Sequence, residues 1–213
     1  MFSSAVKHVM LEALIRGVRA RGPAATFNAY DMVECIFLLG EKGSIGRGKL
    51  GSELMLGPGA VRTLISRLKS KGYIRVDRNG CRLSPKGLSL YSELTKKIVY
   101  RGGFRCWDKT LGKECFLTCV RGVDPSSVSV VSLRDIAVKA GADGALILSY
   151  NAGEFYFAGE NVSYEKTQPV EFWREIKTHF KFGDGDTLIV GFSGDKRSAR
   201  DGALAAALSL IRV

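Results

Sequence analysis

The chain has 213 residues, of which 46% are hydrophobic and 25% charged, and its formal charge at pH 7 is +11. At roughly 100 to 200 residues per domain this length favours two domains, and the composition excludes a wholly disordered or fibrous chain. The longest apolar stretch, near Ala203 to Ile211, falls short of the roughly 20 residues of a membrane span, and Met1 to Arg21 carries no secretory pattern, so a cytoplasmic protein without membrane contact is expected.

Residues 5–20 place Val6, Val9, Met10, Ala13 and Leu14 in one stripe and Leu11, Ile15 and Val18 in another, which predicts a helix apolar on two sides. Gly22 and Pro23 end it. Asn28 is placed to cap a second helix through Tyr30, Val33, Ile36, Phe37 and Leu39 to Gly40. A short helix, Lys49 to Met55, stops at Gly57, Pro58 and Gly59. The next helix, Ala60 to Lys71, carries Val61, Leu64, Ile65 and Leu68 as one buried stripe. After Gly72 the period changes to 2. Ile74, Val76 and Leu83 alternate with Arg75, Asp77 and Arg82 around Asn79-Gly80, which predicts a hairpin with a type I′ turn. Ser84-Pro85 opens a helix from Lys86 to about Tyr100. Arg101-Gly102-Gly103 reads as the boundary between domains 1–103 and 104–213.

In the second half a strand at Cys115 to Val120 leads to a helix with Ser132 and Asp135 in capping-box spacing, ending at Gly141. Ala145 to Tyr150 and Glu154 to Phe157 form a hairpin around Asn151-Ala152-Gly153. A helix from Val170 to Phe180, a strand from Thr187 to Phe192 and an Ala-rich helix from about Ser198 to Leu210 complete it. Mixed elements of this kind predict a two-layer α+β domain, and the whole chain an α+β protein.

Helix, short helix, tight turn, helix and basic hairpin is the order of a winged helix-turn-helix. Charge is uneven: residues 1–100 hold 17 Lys and Arg against 7 Asp and Glu, whereas residues 101–213 hold 15 against 14. The polyanion contact therefore belongs to the first half. The buried stripe of the 60–71 helix leaves Arg62, Thr63, Ser66 and Arg67 outward, with Lys69 beside them, where side chains of these types reach guanine edges or phosphates. Arg75, Arg78 and Arg82 on the hairpin are expected to grip the backbone. Arg47 and Lys49, in a glycine-rich turn at a helix N-terminus, suit phosphate as well.

The run GRGKLGSELMLGPGAVRTLISRLKSKGYIRVDRNGCRLSPKG, Gly46 to Gly87, resembles the winged helices of MarR-type and DtxR-type transcription regulators over residues 28 to 100. The resemblance implies that the second helix of the motif reads the groove and the wing holds phosphate. The stretches RDIAVKAGADGALIL and GDTLIVGFSGDKRSARDGALAAALSLI make the whole chain resemble an archaeal group of two-domain proteins. There the second domain looks like the GAD insert domain of bacterial aspartyl-tRNA synthetases, which implies a fold.

Other patterns carry less. Gly43 to Lys49 matches G-x4-G-K, but Leu50 stands where Ser or Thr must hold magnesium, and the preceding apolar run is helical. Gly46-x-Gly48-x-x-Gly51 has no preceding strand. Five cysteines, at 35, 81, 106, 115 and 119, are odd in number and scattered, so reduced thiols are expected. Cys115 and Cys119 on one strand lie roughly 13 Å apart, too far for one zinc ion. Ser193 follows a strand and precedes a helix without a His and acid pair.

The expected protein is a DNA-binding transcription regulator, neither enzyme nor metalloprotein, with no cofactor. It binds double-stranded DNA as a homodimer. The 104–213 domain serves dimerisation or a small-molecule effector, with Asp143, Asp186, Ser193 and Asp195 as the ligand-binding residues. The alternative is a winged-helix module that binds protein or structured RNA.

Overall fold

The computed structural model describes residues 26–107, 111–123, 125, 129–160, 162–168 and 170–211. The expected helix over residues 5–20 lies outside them. The chain divides into two compact units between Leu94 and Thr95.

In the first unit Asn28 opens α1 (Ala29–Lys42) with a capping box: its side chain accepts the Tyr30 and Asp31 amides, and the Asp31 carboxylate accepts the Asn28 N–H. Gly43, at φ 73°, ends the helix two residues later than the periodicity predicts. Then come β1 (Ser44–Ile45), α2 (Arg47–Leu54), α3 (Pro58–Ser70), β2 (Ile74–Asp77), β3 (Gly80–Leu83) and α4 (Pro85–Lys97). The strands form an antiparallel sheet in the order β1-β3-β2. Leu64 and Leu68 of α3 are fully buried with Ile36, Leu50 and Leu54, so the stripe read from the sequence is the core-facing one. β1 escapes periodicity because two residues show no alternation.

The hairpin has the expected strands but a different turn. Asp77 and Gly80 are paired, so the loop is Arg78-Asn79, and of these positions only Gly80 has positive φ, at 117°. The Asp77 carboxylate accepts the Asn79 N–H at 2.9 Å and sets this turn locally. Gly80 is required because a Cβ there would meet the Ile45 carbonyl of β1. Ser84 caps α4 as expected, accepting the Gly87 N–H at 3.1 Å.

The helix ends at Lys97, and the next residue begins β4 (Ile98–Arg105). The expected boundary at Gly103 would cut this strand. Its Gly-Gly pair mimics a linker, and Ile-Val-Tyr-Arg-Gly-Gly has no period-2 pattern, so its strand character comes from pairing with β5 (Glu114–Val120) over seven register pairs.

The second unit continues with α5 (Val130–Lys139), β6 (Gly144–Asn151), β7 (Glu154–Phe157), α6 (Val170–His179), β8 (Asp186–Ser193) and α7 (Lys196–Leu210). Its strands make one antiparallel sheet in the order β4-β5-β8-β6-β7. β8 lies between β5 and β6, which run parallel to each other. Ser132 falls inside α5, and Ser129 precedes the helix without a side-chain cap, so the expected capping box is absent. The β6–β7 hairpin is the one with a two-residue turn of positive φ, Ala152 at 49° and Gly153 at 85°.

Two layers become three. Cys115, Leu117, Cys119, Leu148, Leu188 and Val190 share one cluster with Phe155, Tyr164 and the α6 residues Trp173 and Ile176. Strand alternation turns Gly191 to the opposite face, against α7. Aromatic side chains in α6, which periodicity does not separate from a surface stripe, thus cover the second sheet face.

Cys106 and Cys115 are joined by a disulfide, with Cα atoms 5.1 Å apart. This corrects the expectation of five reduced thiols. The β4–β5 register, with Phe104 opposite Cys115, brings the two together across nine residues. Cys35, Cys81 and Cys119 are buried free thiols.

Any Cβ at Gly191 would run into the Ala199 carbonyl and the Ala203 amide of α7, and one at Gly202 into Ala142. Gly191→Val is expected to destabilise the second unit by about 1–3 kcal/mol through overpacking, read as a lower denaturant midpoint. An unchanged midpoint would mean that α7 does not lie on β8 at this distance.

Candidate nucleic-acid interface

Arg62, Thr63, Ser66 and Lys69 are exposed on α3, as the stripe requires. The Thr63 hydroxyl donates to the Gly59 carbonyl at 3.1 Å, which keeps its oxygen as an acceptor. Arg67 is half-buried, its guanidinium 5.1 Å above the Phe27 ring, so its side chain is partly committed to the protein. Sequence reasoning placed Arg67 with Arg62 and missed this contact, because Phe27 precedes α1 and meets α3 only in the fold.

α2 and α3 both start from a glycine, Gly46 and Gly57, with no side-chain cap and no acid in the first turn. Their leading amides are left to water or to an anion, and the helix dipoles favour negative charge there. Between the two helices runs a groove of about 650 Å³ whose lining includes Arg47 from α2 and Arg62 from α3, with Ser52, Met55 and Pro58. Met55, at φ 57°, makes the tight turn and is exposed. The structure thus brings together two arginines 15 positions apart in the chain.

On the hairpin, Arg75 stands directly opposite Arg82. Like charges in this position repel. Asp77 relieves one of them, its Oδ2 lying 3.0 Å from the Arg82 Nε. Arg75, and Arg78 in the turn, have no ion pair among the described residues, and nor do Arg62, Lys69, Arg47 or Lys49. β1 connects the two basic regions. The Ser44 hydroxyl donates to the Asn79 carbonyl at 2.8 Å, Ile45 pairs with Cys81, and Arg47 follows two residues on. Burial raises the Cys81 thiol pKa, and the Arg47 charge opposes that shift.

Gly43 to Lys49 spans the end of α1, β1 and the start of α2, and β1 pairs antiparallel. It lacks the parallel strand of a nucleotide-hydrolysing phosphate loop.

The four residues expected to bind a ligand do not form one site. Asp143 accepts the Gly194 N–H at 3.0 Å, and Ser193 is the buried last residue of β8. Asp195 caps α7, accepting the Arg197 and Ser198 amides. Asp186 lies at the other end of the eight-residue β8, about 23 Å away. There it accepts the Gly122 and Gly183 amides. Each of the three carboxylates is held by backbone N–H groups, which turn chemistry explains. Among the described residues no group of three or more His, Cys, Asp or Glu is placed to hold a metal, and no helix is long and apolar enough to cross a membrane. Burial pushes the Cys119 thiol up to about 12.

The Ser198 amide, with the helix start around it, holds the Asp195 carboxyl below its usual pKa. A depressed carboxylate pKa adds stability that is present above the unfolded value and lost as pH falls through the folded one. Asp195→Ala is expected to cost about 1 kcal/mol at pH 7. Asp195→Asn, which still caps, should match the parent at pH 7 and lose less stability on acidification. Parallel denaturation series from pH 7 to pH 2 check both.

Taken together, the chain is an α+β protein with a helical unit carrying a small sheet, followed by a five-stranded antiparallel sheet packed with helices. Residues 29–89 match the PH0730-like, N-terminal domain, and residues 111–210 match a domain of unknown function, DUF4443. Both matches resemble the archaeal two-domain group to which its sequence points. Among solved structures it is similar to the hypothetical protein PH0730 from Pyrococcus horikoshii OT3. That likeness has TM-score 0.71 and 26% identity, over 86% of this chain and 92% of that one. A MarR family protein of Mycobacterium tuberculosis is more distant, with TM-score 0.31 and 16% identity over 43% of this chain and 64% of that one. Comparison with curated proteins gives no match.

Proposed function

We propose that the first unit is a winged helix-turn-helix that binds double-stranded DNA, and that the protein is a transcription regulator rather than an enzyme. α3 enters the major groove and the β2–β3 hairpin is the wing on the backbone. The observation that carries this reading is the run of cations without ion pairs among the described residues: Arg75 and Arg78 on the hairpin, Arg47 after β1, and Arg62 across the groove from it. The uncapped starts of α2 and α3 add backbone donors for phosphate. Surfaces built for solubility mix the two signs, whereas between Gly59 and Lys86 one acid, Asp77, stands against eight Lys or Arg. On this reading a twofold dimer presents two such faces to a near-palindromic site.

Fluorescence anisotropy on duplex DNA across a salt series tests it. Arg75→Ala and Arg78→Ala should each lower the salt slope by about 0.9, since each lost phosphate contact releases that much less counterion. An unchanged slope in both removes the hairpin from the interface. Arg62→Ala should weaken binding to a selected site by about 1–3 kcal/mol and relax preference at one base pair. Equal loss on random DNA makes Arg62 a phosphate contact. Preference for structured RNA over duplex DNA at matched salt would replace this reading with RNA binding.

A further inference from the structure

A second cavity, of about 380 Å³, lies within the second unit, at the end of the sheet where β4 and β8 begin and β5 ends. Its walls are the rings of Tyr100, Phe180 and Phe182. Tyr100 and Phe180 lie 3.6 Å apart between centroids, and Phe180 meets Phe182 edge to face at 6.4 Å. Cys119 and Val99 also line it, and Arg121 and Lys181 supply two cations. We infer that this cavity binds a small planar anion, a molecule of one or two aromatic rings bearing a carboxylate or a phosphate.

The backbone shapes the cavity. Ile98 pairs with Val120 and Tyr100 with Cys119, so Val99 is the extra residue of a β-bulge. Bulges of this kind redirect side chains next to binding sites. The opposite wall, residues 180–185, is fastened at four points. The Phe180 amide donates to the Ile176 carbonyl, the Gly183 amide to Asp186, the Gly185 amide to the Tyr150 carbonyl, and the Asp184 carboxylate accepts the Ala152 amide. A wall so held does not have to be ordered by the ligand, which lowers the cost of binding.

The charges set the sign of the ligand. Among the described residues the carboxylate near Arg121 is that of Asp186, with 3.9 Å from Arg121 Nε to Asp186 Oδ1, and both of its oxygens already accept backbone amides. Among the described residues the Arg121 guanidinium otherwise reaches the Lys181 carbonyl, at 3.4 Å, and its side chain is 53% exposed. Lys181 is exposed and has no ion pair among the described residues. Two cations facing a single, already occupied carboxylate favour an anion. The rings and the neutral Cys119 thiol favour a flat apolar body. A volume at the lower end of the range for small-molecule sites limits its size.

The inference is independent of DNA binding. Isothermal titration of the full chain with indole-3-acetate and with AMP represents the carboxylate and phosphate forms, with indole-3-acetamide and adenosine as uncharged counterparts. One anion is expected to bind at 1:1, and its uncharged counterpart about tenfold or more weaker. Arg121→Gln and Lys181→Gln should each weaken the anion several-fold and leave the uncharged compound unchanged, and Phe182→Leu should weaken both. Lys181→Gln alters an exposed side chain and carries the test alone if Arg121→Gln fails to fold. Absence of binding by both anions at about 1 mM, or affinity unchanged in Lys181→Gln and in Arg121→Gln where that folds, overturns the proposal.

Discussion

The orientation of the basic hairpin against α3 depends on the hydrogen bonds of one buried serine. The Ser84 hydroxyl donates to the Gly72 carbonyl at the end of α3 and accepts the Gly87 N–H of α4, while the Ser84 amide donates to the Tyr73 carbonyl at the entry to β2. The Ser84 carbonyl accepts the Leu88 amide, so the ends of α3, β2 and α4 meet at the residue that follows β3. Gly87 completes the contact, since a Cβ there would overlap the Tyr73 carbonyl oxygen. Buried polar groups that lose such partners cost about 1–3 kcal/mol each. The arrangement therefore has one geometry, and it passes that geometry to the arginines of the hairpin.

The two units treat their cations differently. In the second unit Lys177 binds Glu165 at 2.6 Å, Lys166 lies 3.3 Å from Glu154, and Arg200 binds Asp201 at 2.7 Å in the interior. In the first, Asp77 stands beside Arg82 and Glu53 beside Lys42, while Arg62, Lys69, Arg75 and Arg78 have no acid among the described residues. Opposed arginines weaken a hairpin by a few tenths of a kcal/mol up to about 1 kcal/mol. A polyanion reverses the sign of that term. The net charge makes the same contrast: residues 1–100 hold 17 Lys and Arg against 7 Asp and Glu, whereas residues 101–213 are nearly balanced at 15 against 14.

Legibility in the sequence followed the range of the interactions. Asn28 and Asp31 are three residues apart, and the α3 stripe repeats every three or four, so cap and core face could be read directly. Contacts across the fold could not. The Phe27–Arg67 stacking, the pairing of β1 with β3 and the Cys106–Cys115 bond depend on register or packing that no local pattern encodes. Asn79-Gly80 misled in detail because Asp77 captured the turn. The four polar residues chosen near glycines in the second unit could not be assigned from sequence, because helix caps, loop ties and ligand sites draw on the same residue types. The basic face was legible because charge imbalance survives without knowledge of packing. The aromatic cavity was not, since its walls come from β4, β5 and the segment after α6.

The strand order of the second unit has a consequence for how it is made. β8 fills the gap between β5 and β6, and Leu117 pairs with Val190, 73 positions later. Until β8 emerges from the ribosome, β5 and β6 each lack the neighbour that completes their hydrogen bonding, and α7, which covers β8, follows still later. The first unit closes its small sheet as soon as residue 83 is available. Synthesis thus releases a folded basic unit ahead of a half with open strand edges, the condition in which nascent chains pair with the wrong partner. For this protein the vulnerable interval is the time taken to translate from β5 to the end of α7.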